Sequence, residues 1–136
     1  MENHQHNIGL GEMSQAMERS IRQTRFAIED LQKRISVLEA TREDLERQIR
    51  KLNDSVPEED IKPDAQKEGY VSYGSYAKSV IERKKNIRSS LDDIQLQQSN
   101  LSGDLNIALD ALDSFERVRA RKLAAEAEKA LKRKTG

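Results

Sequence analysis

The chain has 136 residues, 35% hydrophobic and 35% charged, with 4% aromatic residues and neither tryptophan nor cysteine. That is thin material for a globular core, but it suits long solvated helices carrying one narrow apolar stripe. Twenty-four basic residues balance 24 acidic ones, so bulk charge singles out neither nucleic acid nor a membrane surface, and without cysteine there are no disulfides or thiolate metal sites.

The opening residues, 1–8, read as a disordered N-terminal tail. They show neither the basic start nor the apolar run of a secretory signal. His4 and His6 are two imidazoles without a third ligand, too few for a zinc site. A seven-residue repeat then occupies residues 9–52, the first coiled-coil helix. Leu10, Met17, Thr24, Leu31, Leu38, Leu45 and Leu52 share position d. Ile21, Ile28, Ile35, Arg42 and Ile49 share position a. Isoleucine at a with leucine at d favours pairing of two helices, and the intervening Glu, Arg, Gln and Lys suit a solvated surface.

The repeat fails at residues 53–71. Pro57 and Pro63 cannot sit in a helix interior, and Gly69 and Gly74 are close by, so this stretch is expected to be a connecting loop. A second helix is expected from 72, capped by Ser72 or Ser75, and running to 134. Tyr73, Val80, Ile87, Ile94, Leu101, Ala108 and Phe115 form its d series. Ala77, Lys84, Leu91, Gln98, Leu105 and Leu112 form its a series. Gly103 lies off the stripe and costs about 1 kcal/mol relative to alanine. The paired stretches of some 45 residues would each run roughly 65 Å.

These elements predict an all-α fold, an antiparallel two-helix coiled-coil hairpin with a C-terminal helical extension, monomeric on its own. Placing Thr24 opposite Gln98 unites two polar seam residues in one layer, and this pairing is expected to fix the register, because stranding either against leucine costs about 1–3 kcal/mol. In that register Arg42 and Lys84 bury their stems and send their charges out to water. Residues 115–134, with eight basic and three acidic side chains, then project beyond the hairpin, while residues 43–68 carry nine acidic and five basic ones. The charge is thus polarised along the chain.

The N-terminal heptads, the loop, Tyr73-x-x-Tyr76-x-x-x-Val80 opening the second helix, and the basic run Phe115-Glu116-Arg117-Val118-Arg119-Ala120-Arg121-Lys122 together resemble the FliJ family. These are small coiled-coil proteins of the bacterial flagellar type III export apparatus. The resemblance covers nearly the whole chain and implies a stalk in the ring of a hexameric export ATPase, similar in fold to the coiled coil of the rotary ATP synthase gamma subunit. The paired chain ends would enter the ring, with Phe115, Arg117, Arg119, Arg121 and Lys122 as the ring-binding set. The start of the second helix would meet the export-gate membrane protein through Tyr73, Tyr76, Val80, Arg83 and Ile87. Tyr76 and Val80 match the family's aromatic and aliphatic residues, whereas Arg83 and Ile87 depart from its small and histidine residues. Export chaperones are a further implied partner. The implied location is cytoplasmic, at the inner-membrane face of the flagellar base, with membrane association through partners only.

No phosphate-binding loop, nucleophile elbow or carboxylate pair points to catalysis, so a non-enzymatic protein without a cofactor is expected. No aromatic stacking set accompanies the basic run, so nucleic acid is not expected as a partner. The alternative is an architectural coiled-coil dimer, or an adaptor with a basic tail, unrelated to export.

Overall fold

The computed structural model describes the backbone of residues 2–55 and 67–135, and the side chains of 14–55 and 74–135. The chain is all-α: helix α1 spans Glu2–Ser55 and helix α2 spans Lys67–Thr135. The two pack against each other as an antiparallel hairpin, with no strand among the described residues.

Three helix boundaries differ from expectation. Helix α1 runs through the residues read as an N-terminal tail. It also continues past Leu52 through Asn53, Asp54 and Ser55, where the Ser55 hydroxyl donates to the Leu52 carbonyl at 3.0 Å. That bond serves one of the last-turn carbonyls left without a partner in the helix. Pro57 lies just beyond, and the residue before a proline is disfavoured in helical conformation. Helix α2 starts at Lys67, before either expected serine cap, and takes in Gly69 and Gly74. A glycine costs a helix only about 1 kcal/mol, too little to end a helix of this length. The middle of the expected loop, including both prolines, lies outside the described residues, as do the side chains of His4, His6, Tyr70 and Tyr73.

Two compact units divide the hairpin, each containing a piece of both helices. In the unit of residues 34–101, Leu52, Ala77, Val80 and Ile87 form a buried apolar cluster, and Leu45, Ile49 and Leu91 pack against it. Ile94 is buried as well. All of these are a or d positions, so the heptad pattern identified the buried face. In the unit of residues 1–33 and 102–136, Ile21 and Ile28 are buried, and Met17, Thr24, Leu31, Leu105, Ala108, Leu112 and Phe115 are half-buried.

The register is a correction. Gln98 does not share a layer with Thr24. Its side-chain amide donates to Glu39 at 3.0 Å, and the Thr24 hydroxyl donates to Ser20 of its own helix at 2.7 Å. In the other unit Arg119 meets Glu18 at 3.2 Å and Arg25 meets Glu116 at 2.8 Å. The Gln98–Glu39 and Arg119–Glu18 bonds slide α2 along α1 by about two heptads from the expected pairing, and the long Arg25 side chain reaches Glu116 further along still. A slide in whole heptads keeps every a and d residue on the seam, which is why the faces are right although the register is not. Neither residue needs the other: a threonine can bond back to its own helix, and a glutamine can reach past the seam to a flanking carboxylate.

Candidate functional site

The slide in register changes both regions that the sequence singled out. Residues 115–134 do not project alone. Arg119 pairs with Glu18, and an open cleft of about 330 Å³ is lined by Ser14, Met17 and Glu18 from α1 and by Lys122, Glu126 and Lys129 from α2. The expected single-helix extension is therefore accompanied by α1 at least as far as Lys129. The physical reason is overlap, since sliding α2 back half-buries Phe115 and closes two inter-helix ion pairs that a protruding helix would forgo.

Within the expected ring-binding set, Phe115 packs half-buried beside the seam. Arg117 is exposed and held by Asp113 one turn earlier, at 3.0 Å. Arg119 is tied to Glu18, Lys122 is half-buried in the cleft, and Arg121 is exposed. Beyond them Lys132, Arg133 and Lys134 occupy the last turn of α2, where positive charge meets the negative end of the helix dipole. Ala120, Ala124, Ala125, Ala127 and Ala130 keep this segment helical at little entropic cost, and their small side chains leave the cations prominent.

The opening of α2 is less uniform than the resemblance implies. Tyr76 is 53% exposed and Arg83 is exposed beside it, one heptad on. Val80 and Ile87 are 3% and 8% exposed and belong to the apolar cluster. In the closed hairpin, Tyr76 and Arg83 are thus the accessible members of the expected gate face. Tyr73 lies on α2, its side chain outside the described residues. Lys84 is 1% exposed, its stem enclosed in the seam, and no buried side-chain nitrogen or oxygen is left without a partner among the described residues. It lies in the turn between Val80 and Ile87, both of which belong to the apolar cluster.

Arg42 reaches out, into a polar group that the heptad reading missed. Its guanidinium donates through Nε at 3.3 Å and through Nη2 to Glu39, and through Nη1 at 3.3 Å to Glu46. Glu39 also accepts the bond from Gln98. One carboxylate thereby bridges a seam arginine of α1 and a seam glutamine of α2. The Arg42 bond, and after it the Gln98 bond, hold the Glu39 carboxyl below its ordinary value of 4.5. Glu39 in turn raises Arg42. The signal that could have found this group is charge at the flanking e positions, which commonly sets pairing in coiled coils; Glu18, Arg25, Glu39 and Glu46 all occupy them.

Among the described residues no group of three or more His, Cys, Asp or Glu could hold a metal ion, and no helix is long and apolar enough to cross a membrane. The fold and these surfaces define a class, a helical hairpin that presents charged and aromatic side chains on its flanks. No family model, curated protein or solved structure matches the chain.

Proposed function

We propose that this protein is a non-enzymatic coiled-coil subunit of a flagellar type III export apparatus. It would act as a stalk whose basic end enters the export ATPase ring, while the opening of α2 engages the membrane export gate. One observation carries the reading. At the basic end, α1 accompanies α2, so the element offered to a ring is a paired-helix tip studded with Arg117, Arg121 and Lys122. A paired tip resists bending better than one protruding helix, and its cations can steer approach to acidic pore loops. A single asymmetric tip in a ring makes unequal contacts with the subunits around it, which would bias ring assembly and nucleotide turnover. Tyr76, exposed on the flank of α2, supplies the aromatic anchor for the second partner.

The test is capture of a hexameric ATPase on the immobilised chain, with its hydrolysis rate read out with and without the chain. Specific capture and a raised rate are expected, both weakened by Arg121→Glu. Failure to bind any export ATPase from the same genome would leave the architectural coiled coil as the better reading.

A further inference from the structure

The seam is not the one ordered stripe on α2. Asp104, Ile107, Ala111, Ser114, Val118 and Arg121 follow at spacings of three and four residues, so they share one face of the helix to the side of the seam. All lie within the unit of residues 1–33 and 102–136. α1 leaves most of this face open: Ile107 is 70% exposed and Val118 40%, Asp104, Ser114 and Arg121 are exposed, and Ala111 is half-buried. Neither Asp104 nor Arg121 has an ion-pair partner among the described residues. The stripe therefore runs from an acid, through two aliphatic residues flanking two small ones, to a base.

That order is self-complementary in one direction only. Turn a second copy of the stripe end for end about a two-fold axis passing between residues 112 and 113. Asp104 then meets Arg121, Ile107 meets Val118, and Ala111 meets Ser114, and each pairing occurs twice by symmetry. A parallel arrangement would instead set Asp104 against Asp104 and Arg121 against Arg121. The alanine and serine at the centre permit close approach of the helix backbones, while the aliphatic pairs fill the space on either side. We propose that this face is an antiparallel self-association surface whose occupant is the same stripe of a second copy. An isologous contact of this kind closes on itself as a dimer and does not propagate into fibres.

The stripe covers about 26 Å of helix at 1.5 Å per residue, which is short of a standard permanent interface. The dimer is accordingly weak and concentration-dependent, and it uses none of the side chains proposed for the export gate. It does use Arg121, so pairing of two copies would withdraw one of the cations offered to a ring.

Sedimentation of the chain alone over a wide concentration series tests this without any partner. The expected result is a shift from a 15.5 kDa species to twice that mass. Val118→Asp should abolish the shift. Arg121→Glu should weaken association at least about fivefold, because it turns two attractive contacts repulsive. The exchanged variant Asp104→Arg with Arg121→Asp should restore it. The chain has no native cysteine, so direction can be read directly. Mixed Ile107→Cys and Val118→Cys chains should form a mixed disulfide, whereas each alone should not, its two copies lying some 16 Å apart along the axis. A monomer at every concentration overturns the proposal. So does a dimer indifferent to the charge exchange, or one linked 107 to 107. These outcomes are read on the chain alone, so failure of the dimer and failure of ATPase capture are told apart.

Discussion

Gln98 on α2 donates a hydrogen bond to Glu39 on α1 at 3.0 Å, and Glu39 is also gripped by Arg42. This bond ties the two helices together at a defined register. Replacing Glu39 and Gln98 with cysteines should allow a short thiol crosslinker to bridge them within one molecule. The pair Thr24→Cys and Gln98→Cys should not be bridged, since those residues make separate bonds.

The same group gives the stability a pH dependence. Glu39 has its folded-state carboxyl held below 4.5, chiefly by Arg42. A carboxyl depressed on folding contributes stability that is fully present above its unfolded value and is lost as pH falls through the folded one. The difference in melting temperature between the native chain and Glu39→Gln should therefore be constant near neutral pH. It should shrink as pH drops below 4.5.

Lys84 predicts a gain on substitution. Its stem fills the seam, and a methionine of similar length fills the same space with no charge to place at the edge. Lys84→Met should raise the midpoint of urea unfolding. An unchanged or lower midpoint would mean that the ammonium is compensated where it lies.

Tyr76 and Val80 are four residues apart yet should respond in opposite ways. Val80→Ala removes a buried methyl pair and should cost about 1–3 kcal/mol. Tyr76→Ala removes an exposed ring and should change stability by less than about 0.5 kcal/mol. If the export reading holds, Tyr76→Ala should nonetheless weaken gate binding.

Gly103 is helical and exposed, and nothing lies within 4 Å of a methyl added there. Gly103→Ala should raise the free energy of unfolding by about 1 kcal/mol. Circular dichroism melts would show this as a rise of several degrees.

These contrasts mark how far the sequence was legible. Ile21, Ile28, Ile87 and Ile94 were readable as buried because a seven-residue period fixes a face whatever the register. The register was not readable from the seam alone, since every slide by a heptad preserves the same alternation of a and d. It is decided by flanking charges such as Glu18 with Arg119 and Arg25 with Glu116, each pair worth only about 0.2–1 kcal/mol and therefore faint against the apolar signal. How fully Lys84 is covered was hidden for a related reason, because a long side chain can lie along a seam or swing out of it and only the surrounding packing chooses. Of the gate-facing residues, the exposure of Tyr76 and Arg83 follows from their places beside the stripe, and the burial of Val80 and Ile87 from their places on it.

Burial in this chain is sparse: Ile21, Ile28, Leu52, Ala77, Val80, Lys84, Ile87 and Ile94 are the buried side chains among the described residues. Heat capacity change on unfolding scales with the apolar surface newly wetted, about 12–15 cal/mol/K per residue in ordinary globular domains. Calorimetry on this protein should return a smaller figure, and its stability should vary more gently between cold and warm conditions than that of a globular chain of equal length.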